Sequence, residues 1–196
     1  MTLDTTTIVP FLAGIFERRG AEEYLGEPVS MAEHMLQSAW FAEQAGAEEE
    51  LVAAALLHDV GHFTSEFGAY SPQDTEDRHH DGAGADVLAP FFPPVVSECV
   101  RLHVAAKRYL CATDPSYFAK LSKASVHTLS LQGGAMNEDE VAAFRSNPFH
   151  KEAVRVRLWD EAGKVAGMKT RAFRDYAPLL QRVVDRFQDA ERIRAG

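Results

Sequence analysis

Along this chain apolar residues recur at three- and four-residue intervals broken by Gly, Pro and capping residues, and no stretch alternates apolar and polar long enough to predict a strand. The first run, Ile8, Phe11, Leu12, Ile15 and Phe16, predicts a scaffold helix over 8–19 that Gly20 stops. Ser30 with Glu33 is a capping box, which opens a helix over 31–45 ended by Gly46. The helix over 48–58 differs: the segment LVAAALLHDVGH is apolar on nearly all sides and should be buried all round. A helix over 80–88 follows, then a longer one from Pro93-Pro94. Asp114-Pro115 reads as a cap followed by a first-turn proline, with helices on to Leu131 before Gly133-Gly134. Asn137 with Glu140 makes a second capping box, Pro148 starts another helix, and an amphipathic scaffold helix over 171–191 closes the pattern. Over 63–78 the periodicity dissolves into turn residues, aromatics and acids, which predicts a mobile loop above the site. The expected fold is an all-α helical bundle, with 1–196 as a single domain: no repeat or linker interrupts it, and 196 residues with 46% hydrophobic content can bury one core.

Charge and cysteine content narrow the function. A net charge of -9 lacks the basic face that a nucleic-acid polymer needs, so no nucleic-acid partner is expected. Cys99 and Cys111 form no CxxC pair and no disulfide framework, and read as reduced thiols. No charged leader precedes the first apolar run and no stretch of about 18 apolar residues occurs, so a soluble, cytoplasmic protein without a membrane partner is expected.

The chemistry starts where the buried helix ends. His58 and Asp59 are carried into low dielectric, where a carboxylate must be paired or bound to a metal. A metal and a hydrogen-bonded His–Asp pair are both open from this dipeptide alone. His34, His80, His103 and Asp160 add ligand types on other helices, in the H…HD…D order of the HD superfamily, whose metal-dependent phosphohydrolases the LLHDVGH segment resembles. One ion needs about four protein ligands. The further histidines, and a carboxylate able to bridge through both oxygens, favour a dinuclear site in the core of the bundle. His62, one turn beyond His58, reads as a residue that orients a ligand or substrate. His79, His127 and His150 read as solvent-facing or packing residues.

Lys107 stands four residues after His103 and Arg157 three before Asp160, so each shares a helix face with a candidate ligand. With Ser125, Thr128 and Gln132 they would bind an anion; the plain alternative is a solvated helix face. Tyr24 and Glu27 flank Gly26, which suits either a hinge or an ordinary turn before a capped helix.

The segments EYLGEPVSMAEHMLQSAWFA, ALLHDVGH, HVAAKRYL, LQGGAMNEDE and RLWDEAGK, spread over 23–164, together resemble the HD-domain mixed-valent di-iron oxygenases that cleave organophosphonates. The inositol oxygenases are a more distant branch. Position by position, the resemblance implies six iron ligands: His34, His58, bridging Asp59, His80, His103 and Asp160. It implies that Tyr24 holds an iron position until substrate displaces it, and that Glu27 meets the substrate. The cofactors would be two Fe ions, Fe(II)/Fe(III), with O2 as co-substrate; the partner would be a small-molecule phosphonate. The reaction would split the C–P bond of a 1-hydroxy-2-ammonioethylphosphonate into a carboxylic acid and phosphate.

Two substrates differ at the amine, a trimethylammonio group giving glycine betaine and a primary ammonium giving glycine. The 63–78 loop departs from the glycine-forming enzymes. It offers Glu66, Asp74, Glu76 and Asp77 with Phe63, Phe67 and Tyr70, which with Glu27 favour the trimethylammonio compound. Two other classes make different demands: an HD phosphohydrolase would need no O2, and a degenerate HD module used for sensing should have lost ligand residues, whereas all six are present.

Overall fold

The computed structural model describes residues 2–24, 26–64 and 79–196. Among them the helices are α1 (Ile8–Arg19), α2 (Met31–Gln44), α3 (Glu49–Leu57), α4 (Gly61–Thr64), α5 (His80–Leu88), α6 (Pro94–Thr113), α7 (Pro115–Phe118), α8 (Lys123–Leu131), α9 (Glu138–Ser146), α10 (His150–Ala162) and α11 (Phe173–Ala195). An isolated bridge, Glu23 to Ser30, is the extended pairing found among the described residues. The all-α expectation holds.

α3 sits at the centre because it has no polar face to turn outward. Every residue from Leu51 to Leu57 is buried, and α2, α6, α10 and α11 pack around it. Each buried leucine contributes about 1.5–3 kcal/mol relative to exposure. The exposed start of the helix is tied down differently: Glu49 accepts from Arg182 and Arg186 of α11, and Glu50 from Arg186. α6 packs against α10 and α5, and α2 against α10, so the helices that carry the candidate ligands are mutual neighbours.

The caps form where the sequence places them. Ser30 with Glu33 and Asn137 with Glu140 make both bonds of a capping box, and Asp114 accepts from the Ser116 N–H at the start of α7. The helix expected from Pro148 begins two residues later, at His150. The residue before a proline is pushed out of the helical region, and Asn147 is extended at φ -68°, ψ 129°. Asn147 instead caps the turn, its side chain accepting from the Phe149 N–H at 2.8 Å.

α11 runs past its expected end to Ala195. It opens with Asp175 accepting from the Ala172 N–H and carries Pro178 inside the helix. The loop expected over 63–78 falls, from 65 to 78, outside the described residues. No helix among the described residues is long and apolar enough to cross a membrane.

Candidate metal and substrate site

Four of the six expected ligands are imidazoles, and they meet in two pairs. His34 on α2 and His58 at the end of α3 bring their Nε2 atoms to 3.0 Å, and His80, which opens α5, and His103 on α6 do the same at 3.0 Å. The opposite ring nitrogens of His34, His58 and His103 lie 2.9, 2.8 and 2.6 Å from the carbonyls of Gly163, Ala55 and Val100, where only a ring N–H can donate. In those three rings the proton sits on Nδ1 and the Nε2 lone pair is left facing its neighbour. Facing lone pairs call for a cation between them.

Asp59 lies between the pairs. Its Oδ2 is 3.5 and 3.3 Å from Nε2 of His34 and His58, and its Oδ1 is 3.4 and 3.3 Å from Nε2 of His80 and His103. Each oxygen serves one pair, the disposition of a bridging carboxylate. Asp160 Oδ1 joins the first pair at 3.5 Å from His34 and 3.8 Å from His58, while its Oδ2 accepts from Arg157. Asp59 Oδ2 and Asp160 Oδ1 are buried without a hydrogen-bond partner, a costly state unless a cation takes it up. Burial opposes a charge on His58, yet Asp59 and Asp160 outweigh it and push the imidazole up to about 9. Without a metal, the two carboxylates thus draw a proton onto His58 as the cation. The donor set fits a pair of metal ions bridged by Asp59.

His62 lies closer than an outlying orienting residue would. Its ring stacks on His80 at 4.0 Å and its Nε2 is 3.9 Å from Asp59 Oδ1, so Asp59, His62 and His80 form a further cluster of potential ligand atoms. Burial, then His80, holds it well below the ordinary histidine range. Tyr24 stacks on His34 at 3.9 Å, and burial with Asp59 and Asp160 pushes its phenol well above the ordinary tyrosine range. Its backbone carbonyl accepts from Glu27 N–H at 2.7 Å across Gly26, whose φ of 76° needs glycine.

One cavity is lined by Tyr24, Glu27, His62, Lys107, Ser125, Thr128, Gln132 and Arg157 beside Asp59, His80, His103 and Asp160, so every candidate site residue except His34 and His58, which sit beneath it, reaches its wall. Lys107 donates to Thr128 Oγ1 at 2.7 Å. Burial, with Arg157 and Lys164 adding to it, lowers its ammonium to about 7.

Arg157, expected to bind substrate, lines the cavity and is also bonded within the protein. Its Nε donates to the Tyr117 hydroxyl at 2.7 Å, and its two terminal nitrogens hold Asp160 and Glu161. The guanidinium is committed to protein acceptors, among them a candidate metal ligand. Lys164 is the cation that helical spacing missed. It lies in the cavity wall, with Nζ 2.7 Å from Ser125 Oγ, 3.1 Å from Glu161 Oε2 and 3.8 Å from Glu27 Oε1. Glu27 Oε1 and Gln132 Oε1 are buried there without hydrogen-bond partners.

Phe63, offered by the sequence as an aromatic for a trimethylammonium, packs 6.5 Å from Phe16 with the Arg19 guanidinium 5.0 Å over its ring, and does not line the cavity. Glu66, Phe67, Tyr70, Asp74, Glu76 and Asp77 fall outside the described residues. Neither His79, His127 nor His150 lines the cavity.

A family model for the HD domain matches residues 31–161, which include all six candidate ligands. The chain belongs to the HD-domain family. The chain is 60% identical, over 188 residues and 96% of each chain, to the glycine-betaine-forming [1-hydroxy-2-(trimethylamino)ethyl]phosphonate dioxygenase of Leisingera caerulea. It is 44% identical over 156 residues to a hydroxymethylphosphonate dioxygenase of Gimesia maris, covering 79% of this chain and 78% of that one. An uncharacterised protein of Acanthamoeba polyphaga mimivirus is 29% identical over 176 residues, 86% of this chain and 78% of the viral protein. The resemblance read from the motifs therefore holds, and with the buried His/Asp clusters it makes this HD domain a metal-dependent oxygenase.

Proposed function

We propose that the chain catalyses O2-dependent cleavage of the C–P bond of (R)-1-hydroxy-2-(trimethylammonio)ethylphosphonate, giving glycine betaine and phosphate. Both atoms of O2 enter the products, one in each. The observation that supports this most is the position of Asp59, one oxygen toward each histidine pair, in a chain so similar to a dioxygenase of that name. His34, His58, Asp59 and Asp160 would hold one iron and Asp59, His80 and His103 the other, an Fe(II)/Fe(III) pair, with His62 in reserve beside the second. The chemistry such a pair supplies is activation of O2 and polarisation of the substrate hydroxyl.

The chain's own groups place the substrate. Lys107 and Lys164 carry the charge that a phosphonate dianion seeks, and Ser125, Thr128 and Gln132 supply neutral donors on one wall. Glu27, whose buried Oε1 accepts no hydrogen bond and lies 3.8 Å from Lys164 Nζ, would face the ammonio end. A trimethylammonium cannot donate a hydrogen bond, so it needs a carboxylate nearby without a fixed contact. Tyr24 fills the space over His34 and would yield it to the substrate by movement at Gly26.

Turnover of the trimethylammonio and primary-amine compounds in competition, with and without O2, tests this reading. We expect turnover only with O2 and a higher kcat/KM for the trimethylammonio compound. Preference for the primary amine would move the enzyme to glycine formation, and hydrolysis of a phosphate ester without O2 would mark an HD phosphohydrolase instead.

The lowered Lys107 gives a pH signature. Only the ammonium pairs with a dianion, and in the substrate-free protein that form is lost as pH rises past about 7. The kcat/KM should therefore fall above that pH, and Lys107→Met should flatten the fall while weakening binding by about 1.5–3 kcal/mol, the worth of a charged hydrogen bond. An alkaline limb unchanged in the variant would assign it to another group.

A further inference from the structure

The end of α10 and the residues just after it carry three parts of the proposed site in five residues: Asp160, the Gly163 carbonyl that takes the His34 Nδ1–H, and Lys164 in the cavity wall. Past Lys164 the segment turns outward, with residues 165–167 exposed. Val165 is 48% exposed, and Gly163 has no side chain to pack. What fastens it is Gln37 on α2, whose side-chain amide donates to the Val165 carbonyl at 2.9 Å and accepts from the Val165 N–H at 2.9 Å. Gln37 is buried, one turn beyond His34 on the same face of the helix, and does not line the cavity.

We infer that Gln37 is a positioning residue that couples the metal half of the site to its anion-binding half. The reasoning rests on the proposed function. A side-chain amide is the group that can both give to a backbone carbonyl and receive from the same residue's N–H, so it mimics one rung of a sheet and fixes the strand direction of the segment. With Val165 fastened, Gly163 is pressed onto α2: a Cβ there would meet Ser38 Oγ at 2.6 Å and the His34 carbonyl at 2.9 Å. That close approach lets the Gly163 carbonyl reach the His34 ring, which fixes the tautomer that leaves Nε2 free. On the other side of Gly163 the same fastening delivers Lys164 to Ser125 and Glu161. One amide outside the site thereby sets the orientation of a candidate ligand and of a candidate phosphonate cation together.

The test compares wild type with Gln37→Met, which keeps the bulk and loses both bonds, and Gln37→Glu, which keeps only the acceptor. Three readouts are needed: thermal melting, iron bound per chain in anaerobic dialysis against Fe(II), and KM with kcat for the phosphonate. Gln37→Met is expected to bind Fe(II) about tenfold more weakly, as for the loss of a group that orients a metal ligand. Its KM should rise by a similar factor, with kcat at saturating iron and substrate changed far less. Gln37→Glu, which loses the bond to the Val165 carbonyl, should lose several-fold on both. Iron affinity and KM within twofold of wild type in either folded variant, whatever the melting temperature, would overturn the inference; should Gln37→Met not fold, Gly163→Ala, which pushes the same segment off α2, must show the same joint loss. A wild type that binds no iron pair would instead refute the function on which the inference rests.

Discussion

Replacing Asp59 by Ala is expected to remove the metal pair, lowering bound iron from about two ions per chain to one or none and taking turnover below detection. The reason is geometric. Among the described residues Asp59 is the one side chain whose two oxygens each lie within 3.5 Å of a different histidine pair, so none of the others can supply the bridge. Asp160 Oδ1 could retain an ion with His34 and His58, whereas the His80–His103 pair would keep, among the described residues, His62 as its further donor. Asp59→Asn, which leaves one good oxygen ligand, should hold more metal than Asp59→Ala and still lack normal turnover. Iron analysis with a Mössbauer spectrum of the resting protein measures both number and valence. Two irons and ordinary turnover in Asp59→Ala would show that the carboxylate does not bridge.

The second large effect is expected at Arg157, and on stability before affinity. Arg157→Ala would strip Asp160 Oδ2 and the Tyr117 hydroxyl of their donor in one step, while Glu161 Oε2 would keep Lys164 and Ser125. Breaking one partner out of a buried ion pair costs about 3–5 kcal/mol, because the remaining charge stays buried and unpaired. Urea unfolding of the metal-free protein should show a loss of that order, and Arg157→Lys, which cannot reach three acceptors with a planar fork, should recover only part of it. A variant of wild-type stability with only a raised KM would return Arg157 to the substrate, as helical spacing alone had suggested. Lys107 gives the contrast: its ammonium donates to the neutral Thr128 hydroxyl, so its removal strands no carboxylate bonded to it.

Much of this protein is decided locally, and those parts were legible in the sequence. The all-apolar run of α3 can only be buried, the capping boxes at Ser30 and Asn137 state where helices begin, and the His58-Asp59 pair at the end of a buried helix demands a charge partner. Residues that share a helix face, such as His103 with Lys107 or Ser125 with Thr128, could be assigned to one wall because the helical repeat fixes their direction. Helix starts were less legible where two local rules compete, as at Pro148, whose predecessor is forced extended and delays α10 to His150.

What only the tertiary structure decided lies between elements or just past their ends. Lys164 follows the helix stop at Gly163, where the periodicity that placed Arg157 and Asp160 no longer tells which way a side chain points. The bond between His34 and the Gly163 carbonyl joins positions 129 residues apart, and the fastening of Val165 by Gln37 joins positions 128 apart. No local propensity encodes such contacts; they exist because α2 and α10 pack closely enough for a side-chain amide to reach a backbone. That Arg157 bonds its own carboxylates while lining the cavity, and which oxygen of Asp59 lies nearer which histidine pair, follow in the same way from packing. Residue types and their periodicity determine which chemistry a chain can perform, and packing of distant helices determines which groups remain free to perform it.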